Sequence, residues 1–282
     1  MKILLIGSTS SLSQSLIPKL EQIGTVITAG RKNCDFLIDL SDAKKSIVLP
    51  RGIDVLIHTA AHFGGETDSE ILEAENVNVL GTLKICQAAV QAMAKHFILI
   101  SSMSAILKEN SEYYGIYALS KRHSEEIAKF YCSIYSLPLT ILRPSQIYGN
   151  QDNFSSHQPF IYSMIDNAEK GEPIRIYGSK DAIRNYIHID DLNEIILRAT
   201  EQKIEGTYSC MSPTDVAYSR VANAALDAFQ SKGSLHFLKD KEDIPDNIFE
   251  KDNSLYEKIN FYPQISIEAG MKMIAEYRSK SK

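Results

Sequence analysis

The segment Lys2-Ile-Leu-Leu-Ile-Gly-Ser-Thr-Ser-Ser-Leu-Ser13 contains the pattern that decides the fold class. Residues 2–6 form a short continuous apolar run, which is typical of a strand buried in a parallel sheet. Gly7 follows, and apolar residues then recur at helical spacing from Leu12 to Ile23. A strand, a glycine-containing turn and a helix form a unit that binds dinucleotides, with the phosphates at the helix N-terminus. The segment therefore predicts a nucleotide-binding α/β fold.

The glycine turn departs from the usual pattern for such a unit. Where G-x-x-G-x-x-G is expected, the chain has Gly7, Ser10 and Ser13. The second glycine normally lets the backbone approach the pyrophosphate, and the third lets the helix pack against the sheet. Serine is small enough for the third role. At the second position it adds a Cβ where space is scarce, although its hydroxyl could hydrogen-bond a phosphate, so the turn leaves cofactor affinity open.

The order of apolar run and helical pattern recurs along the chain. This repetition predicts an α/β protein with a doubly wound parallel sheet, in which ligands bind beyond the carboxyl ends of the strands. The predicted strands cover 2–6, 25–29, 36–40, 54–61, 96–102 and 139–142, and one long helix is predicted over 70–93. A further helix carries Tyr117, with apolar positions at Ile116, Leu119, Ile127, Phe130 and Ile134.

Bulk composition excludes several classes of protein. The net charge of -5 gives no electrostatic support for a nucleic-acid partner. Four cysteines are scattered without ligand spacing, so neither a metal site nor a disulfide framework is predicted. No apolar run reaches the length of a membrane span, and the apolar start is too short for a signal peptide. We therefore expect a cytoplasmic protein with reduced thiols and no membrane partner.

The end of the second predicted strand bears on the choice of cofactor. It reads Gly30-Arg31-Lys32 and carries no carboxylate. A carboxylate there would bind the ribose 2′-hydroxyl of NAD, whereas an arginine accommodates the 2′-phosphate of NADP. Arg31 therefore favours NADP over NAD, unless both basic residues are merely solvated.

A tyrosine and a lysine four residues apart form the candidate catalytic pair. Tyr117 and Lys121 share one face of the predicted helix. A nearby ammonium should lower the pKa of a phenol, which could then exchange a proton with an alcohol or carbonyl near neutral pH. Ser102 ends a predicted strand and would point into the same crevice. The alternative to a catalytic Tyr117 is an ordinary surface tyrosine on an amphipathic helix. We expect His58 to satisfy hydrogen bonds within the fold rather than to take part in chemistry.

Taken in order, these motifs resemble the extended short-chain dehydrogenase/reductase family, of the NAD-dependent epimerase/dehydratase type that modifies nucleotide sugars. The resemblance implies a Rossmann domain from residues 1–149 plus part of 185–210. It also implies a smaller C-terminal α/β substrate domain from 150–184 and 211–282. The matching segments are Gly7 and its turn, Asp39-Leu40, His58–Ala61, Asn78–Thr82, Ser101-Ser102, Tyr117-x-x-x-Lys121, Leu142–Gly149, Arg184–Asp191, Gly206–Tyr208 and Asp252–Gly270.

The resemblance also implies roles for individual residues. Tyr117 would be the acid/base, Lys121 would hold the nicotinamide ribose and lower the tyrosine pKa, and Ser102 would donate a hydrogen bond to the reacting oxygen. Many members of the family form homodimers through the helix that carries the tyrosine and the long helix before it. The remaining implied cofactor contacts are Gly7, Ser10, Ser11, Leu12, Arg31, Asp39, Leu40, Thr59, Ala60, Ala61 and Asn78. The implied substrate contacts are Ser104, Gln146 and, on the diphosphate, Arg184.

The family resemblance leaves more than one activity open. Met103 and Ser104 stand where dehydratases of this group resemble Thr-Asp-Glu, so dehydration is disfavoured. We expect hydride transfer at a carbon of a nucleotide-linked sugar, with an epimerase as the first reading and an NADPH-dependent 4-keto-sugar reductase as the second. A non-catalytic NAD(P)-binding sensor and a reductase of small carbonyls are the further alternatives. Ile106 and Gln146 differ from the residues common in the family and leave the sugar undefined.

Overall fold

The computed structural model describes residues 1–42 and 45–280. The strands, in chain order, are β1 (Lys2–Ile6), β2 (Thr25–Gly30), β3 (Phe36–Leu37), β4 (Val55–His58), β5 (Phe97–Ile100), β6 (Leu139–Pro144), β7 (Gln146–Tyr148), β8 (Ile174–Tyr177), β9 (Ile183–Arg184), β10 (Tyr186–His188), β11 (Gly206–Cys210), β12 (Val216–Ala217) and β13 (Leu235–Leu238). The helices are α1 (Ser11–Leu20), α2 (Asp68–Ala74), α3 (Gly81–Gln91), α4 (Ile116–Ile134), α5 (Pro159–Lys170), α6 (Ile189–Gln202), α7 (Tyr218–Ala228), α8 (Ser254–Ile259) and α9 (Ile267–Lys280).

The chain divides into two compact units. Unit 1 consists of Met1–Pro144, Asn193–Cys210 and Asp252–Phe261, and unit 2 consists of Ser145–Leu192, Met211–Lys251 and Tyr262–Lys282. Among the described residues, no helix is both long enough and apolar enough to cross a membrane.

A parallel sheet forms the centre of unit 1. Within the described residues it has seven strands in the order β11-β6-β5-β4-β1-β2-β3, and every neighbouring pair is parallel. Strands β4 and β5 are buried along their whole length, because helices cover both faces of such a sheet. The strand order reverses at β1, which lies between β2 and β4. The predicted doubly wound sheet is confirmed, and its ligand crevice lies beyond the carboxyl ends of β1 and β4.

The long helix predicted over 70–93 is interrupted in the structure. Helix α2 is followed by a π-helical segment, Glu75–Leu80, and only then by α3. A π-helical turn places an extra residue in the helix, and here it turns Asn78 inward, where the side chain is buried. The expected close packing at Gly81 is present, since a Cβ added there would lie 3.1 Å from Leu40 Cβ.

Other predicted boundaries were too generous. Strand β3 covers Phe36–Leu37 rather than 36–40, and β4 ends at His58 rather than at 61. In both places the chain leaves the sheet after the last paired residue. The polar and small residues that follow form loops at the carboxyl edge of the sheet.

Helix α4 begins and ends where its apolar periodicity suggests, but the apolar residues do not form its buried face. Phe130 and Ile134 are 63% and 57% exposed. The residues buried by α4 are small or polar, namely Ala118, Ser120, Lys121, Ser124, Glu125, Ala128 and Cys132. The helix therefore packs a polar face toward the sheet, and that face carries the candidate catalytic lysine.

Unit 2 is built from short two-stranded pairs and helices. Strand β7 pairs in parallel with β10, β8 pairs in parallel with β13, and β9 pairs antiparallel with β12. Arg278 near the end of α9 binds carboxylates of Asp152, Asp166 and Glu169 at 2.6–2.8 Å. This charge cluster ties α9 to α5 and to the segment before it.

Candidate active site

The turn after β1 has the backbone geometry that close approach to a ligand requires. Gly7 has φ of +90°, and a Cβ added there would lie 2.6 Å from the Ala60 nitrogen. Only glycine fits this position without moving the neighbouring backbone. The Gly7 amide donates to the Ala29 carbonyl at 2.9 Å, which fixes the turn against β2. The turn can therefore present backbone amide groups at the N-terminus of α1.

The two serines that replace glycines form a chain of hydroxyl groups. Ser10 caps α1, because its Oγ accepts from the Ser13 amide at 3.2 Å, and it also bonds Ser13 Oγ at 3.0 Å. Ser13 is fully buried, and its Oγ lies 2.7 Å from Thr59 Oγ1. Thr59 Oγ1 in turn donates to the Ile6 carbonyl at 2.9 Å. Serine at the third position is thus accommodated by hydrogen bonds that link α1 to the end of β4.

A buried hydroxyl at the same turn has no internal partner. Ser8 is 1% exposed, and its Oγ has no hydrogen-bond partner among the described residues. It faces Gly30 at the end of β2, where a Cβ would lie 3.2 Å from this Oγ. Buried polar groups normally have a partner, and the ribose of a dinucleotide lies beyond this strand end in such folds. The residues around the turn therefore fit a dinucleotide.

Arg31 directly follows β2 and Asp39 lies two residues beyond β3, and both are exposed. Asp39 accepts from the Ser41 amide at 3.0 Å and from Ser41 Oγ at 2.7 Å, and these bonds lower its pKa. The positive charge of Arg31 contributes to the same effect. Leu40, the other residue of the Asp39-Leu40 pair, is buried against Gly81. A carboxylate and a guanidinium therefore lie near each other beyond the ends of β2 and β3, and their contact with a cofactor stays a prediction.

Asn78 joins three segments around the crevice. Its Nδ2 donates to the His62 carbonyl at 2.7 Å and to Ser120 Oγ at 2.9 Å, and its Oδ1 accepts from the His62 amide at 2.8 Å. Both amide protons are therefore used within the protein. The structure gives Asn78 a positioning function, because it holds the loop after β4 against the helix that carries Tyr117. Its contact with a cofactor stays a prediction.

The structure brings the hydroxyls of Ser102 and Tyr117 together. Ser102 follows β5 and caps the short 3-10 turn Met103–Ile106, with its Oγ accepting from the Ser104 amide at 3.1 Å. Tyr117 lies in the first turn of α4, and its interaction with the Ser102 side chain lowers the pKa of the phenol. The two residues come from separate segments and meet at the carboxyl edge of the sheet.

The pKa of Tyr117 differs from the sequence-based expectation. Burial raises it to about 12, and the hydrogen bond with Ser102 opposes this only in part. Lys121 contributes no lowering of this pKa; its Nζ donates to the Ile100 carbonyl at 2.8 Å, and the lysine is itself 3% exposed. Burial lowers the pKa of Lys121 to about 8, against the raising effect of Glu125. At neutral pH the site therefore presents a protonated phenol beside a buried ammonium.

An aromatic neighbour of Tyr117 was not anticipated. The ring of Phe63, from the loop after β4, stacks on the Tyr117 ring with centroids 4.8 Å apart. This contact helps to remove water from the phenol, and sequence spacing contains no signal for it. Below the site, burial lowers the pKa of His58 to about 3, and its Nε2 lies 3.3 Å from Thr82 Oγ1. His58 is thus a neutral, buried imidazole, but its Nδ1 has no hydrogen-bond partner among the described residues, so the expected satisfaction of its hydrogen bonds is met at Nε2 alone.

The predicted substrate contacts are divided between the two units. Ser104 lies in unit 1, half-buried beside Ser102, whereas Gln146 and Arg184 lie in unit 2. Gln146 Nε2 donates to Gln158 Oε1 at 3.3 Å, and Gln146 Oε1 has no partner among the described residues.

Arg184 is more deeply placed than its predicted contact with a diphosphate suggests. The residue is 2% exposed, and its Nη1 donates to the carbonyls of Ile183 at 2.8 Å and Pro245 at 2.7 Å. Its guanidinium lies over the Tyr218 ring, 4.8 Å from the centroid. The structure thus shows Arg184 bound within unit 2, and its contact with substrate stays a prediction. Within the described part of the chain, no group of three or more metal-binding side chains comes together.

The fold has a parallel sheet with a glycine turn after its first strand. A serine, a tyrosine and a lysine lie beside the crevice. Together these features are typical of a short-chain dehydrogenase/reductase. The profile of the NAD dependent epimerase/dehydratase family matches residues 3–210, and the chain belongs to this family. NAD-dependent chemistry is therefore a property of its family.

Three similar proteins illustrate the relationship. CDP-abequose synthase of Salmonella typhimurium is 27% identical over 150 residues, which cover 53% of this chain and 49% of that protein. UDP-N-acetyl-alpha-D-glucosaminuronate decarboxylase of Bacillus cytotoxicus is 25% identical over 242 residues, covering 78% of this chain and 74% of the relative. The crystal structure of UDP-N-acetylglucosamine 4-epimerase from Bacillus cereus superimposes with a TM-score of 0.77 at 20% identity, covering 98% and 96% of the two chains. The matched region is thus about half of the first relative and about three quarters of the second.

Proposed function

We propose that this protein is an NAD(P)-dependent nucleotide-sugar epimerase that acts by hydride transfer at a sugar carbon. The observation that carries the proposal is that the Ser102 side chain acts on the Tyr117 phenol and lowers its pKa, with Lys121 one helical turn further along α4. The names of the three similar proteins each include a nucleotide-activated sugar, which supports this substrate class.

Each residue of the site has a defined chemical task in this proposal. A bound nicotinamide cofactor would supply the hydride chemistry. Tyr117 exchanges a proton with the sugar oxygen at its phenolic oxygen, and Ser102 donates a hydrogen bond to the same sugar oxygen. With a pKa of about 12, Tyr117 is protonated at neutral pH and suited to donate a proton to a carbonyl oxygen. Lys121 would hold the ribose of the nicotinamide nucleotide through its ammonium.

An NADPH-dependent reductase of nucleotide-linked 4-keto sugars is the second candidate. Both reactions use the same three side chains, but a reductase releases oxidised cofactor after each turnover. Arg31 at the end of β2, without a carboxylate beside it on that strand, supports NADP as the preferred cofactor and so favours net reduction. The acidic Asp39 next to Arg31 supports NAD instead, and we therefore place the epimerase first.

We assign the binding of the nucleotide-sugar to Ser104, Gln146 and Arg184, with residues 150–184 and 211–282 as the substrate domain. The unpaired Gln146 Oε1 supports this assignment, since a buried acceptor without a partner is costly unless a ligand supplies the donor. The four cysteines are free thiols, which supports a reducing, cytoplasmic location.

A homodimer is the proposed assembly. Unit 1 exposes large apolar side chains on α2, the π-helical segment and α4, including Leu72, Leu80, Phe130 and Ile134. Apolar side chains that cluster on a surface usually mark an interface. Light scattering should give a dimer for the wild type and a monomer for Phe130→Asp, whose exposed side chain tolerates the change within one chain. A wild-type monomer would contradict the proposed assembly.

Tyr117→Phe tests the enzymatic proposal most directly. The variant keeps the ring and its contact with Phe63 but lacks the proton donor, so turnover should fall about 10²–10⁴-fold. The dissociation constant for the dinucleotide should stay within about twofold. Tyr177→Phe is the matched control, because Tyr177 is exposed in unit 2. Unchanged turnover in Tyr117→Phe would refute the assigned role.

The same preparation can test the sensor alternative. Thermal unfolding would be followed with NADH, NADPH and a panel of UDP- and dTDP-sugars, because stabilisation follows ligand affinity. An enzyme of the proposed class should be stabilised by at least one sugar nucleotide, whereas a sensor should respond to the dinucleotide alone.

A further inference from the structure

A buried carboxylate lies one helical turn beyond Lys121. Glu125 is 2% exposed on α4. It accepts from Ser101 Oγ at 2.5 Å and from Arg143 through Nε at 2.8 Å and Nη2 at 2.5 Å, and Lys129 Nζ lies at 3.7 Å. A buried charge is strongly unfavourable unless it is paired and hydrogen-bonded. The polar face of α4 therefore carries a fully hydrogen-bonded carboxylate where an apolar side chain would be the ordinary choice.

The contacts of Glu125 lie next to two members of the proposed catalytic group, Ser102 and Lys121. Its partner Ser101 directly precedes Ser102, and the residue before it, Ile100, provides the carbonyl that accepts from Lys121 at 2.8 Å. The Ser101 amide also donates to the Leu142 carbonyl of β6 at 2.7 Å. The end of β5 is therefore held between α4 and β6 at the point where Ser102 and Lys121 meet the site.

We propose that Glu125 is a positioning residue for the reaction. Through Ser101 and Arg143 it fixes the end of β5 against α4, and it supplies the counter-charge for the Lys121 ammonium. The inference rests on the proposed function, in which Ser102 donates to the sugar oxygen beside Tyr117 and Lys121 holds the cofactor ribose. Glu125 does not touch substrate or cofactor in this assignment, because its oxygens are bound by Ser101 and Arg143.

Of the ionisable side chains described near Lys121, Glu125 is the carboxylate that can balance the charge of the ammonium. Tyr117, on the same helix, is a protonated phenol at neutral pH, and His58 on β4 is a neutral imidazole. Arg143 on β6 adds a positive charge that is paired with Glu125. Glu125 raises the pKa of Lys121 against the lowering effect of burial. Removal of its charge should therefore favour the neutral amine of Lys121.

Glu125→Gln tests the inference, because it keeps the shape of the side chain and removes its charge. The protein would be labelled with ¹³Cε-lysine, and the Lys121 resonance, assigned by its loss in Lys121→Met, would be titrated without substrate. The wild-type midpoint should lie near pH 8, as the pKa of Lys121 indicates. In Glu125→Gln the midpoint should fall by about one pH unit or more, and the pH profile of kcat should shift with it. Glu126→Gln, a change at the exposed neighbouring residue, should leave both unchanged.

The outcomes separate this inference from the proposed function. A folded Glu125→Gln with an unchanged Lys121 midpoint would overturn it, even if the protein remained an active epimerase. A shifted midpoint in a protein that turned over no sugar nucleotide would support the link and count against the proposed activity. If Glu125→Gln fails to fold, Glu125→Asp retains the charge about 1.5 Å further from its partners. A smaller fall of the Lys121 midpoint in that variant supports the inference, and an unchanged midpoint overturns it.

Discussion

Replacement of Lys121 by methionine should change how the stability of this protein depends on pH. Lys121 is 3% exposed, and burial lowers its pKa from 10.5 to about 8 in the folded protein. Between these two values the unfolded chain binds more protons than the folded one, so the stability of the wild type rises with pH. Below pH 8 the lysine is charged in both states, and the folded state bears the full cost of the buried charge.

The size of the effect follows from the two pKa values. Linkage gives about 2.5 kcal/mol of stabilisation from this group between pH 7 and pH 10. Lys121→Met has no such group. The free energy of unfolding of the variant, minus that of the wild type, should therefore be about 2.5 kcal/mol larger at pH 7 than at pH 10. The constant cost of losing the hydrogen bond to Ile100 cancels in this comparison.

Urea unfolding followed by circular dichroism, at one protein concentration and at several pH values, measures this difference. Lys272→Met replaces an exposed lysine of α9 and should follow the wild type at every pH. A difference between Lys121→Met and the wild type that stayed constant from pH 7 to pH 10 would refute the assignment of a buried, charged lysine.

Two further variants test the surroundings of the site. Asn78→Ala leaves the amide and carbonyl of His62 without their partners, so the free energy of unfolding should fall by about 2–3 kcal/mol, as measured by urea unfolding. A loss below about 0.5 kcal/mol would contradict the positioning function. Arg31→Ala should weaken NADPH binding about tenfold or more, and NADH binding by much less, in a direct titration. Equal effects on both dinucleotides would remove the basis for a preference for NADP.

The sequence by itself determined the class of fold and named the candidates for the catalytic group. Strand β1, Gly7 and α1 follow from local rules, because a buried parallel strand needs a continuous apolar run and the turn needs a residue that adopts positive φ. The tyrosine and lysine share a helix face by spacing alone. Such features depend on residues close together in the chain, and they could be read from it.

The tertiary structure decided the features that depend on burial and on distant partners. The π-helical segment contains Asn78, whose side-chain amide donates to the His62 carbonyl and to Ser120 Oγ, two partners far away in the sequence. The pKa of Tyr117 is raised rather than lowered, because packing removes water from a phenol that spacing alone would place beside a cation. The exposed position of Phe130 likewise depends on which face of α4 meets the sheet. Desolvation and long-range contacts set these properties, and a pattern of residue types along the chain does not contain them.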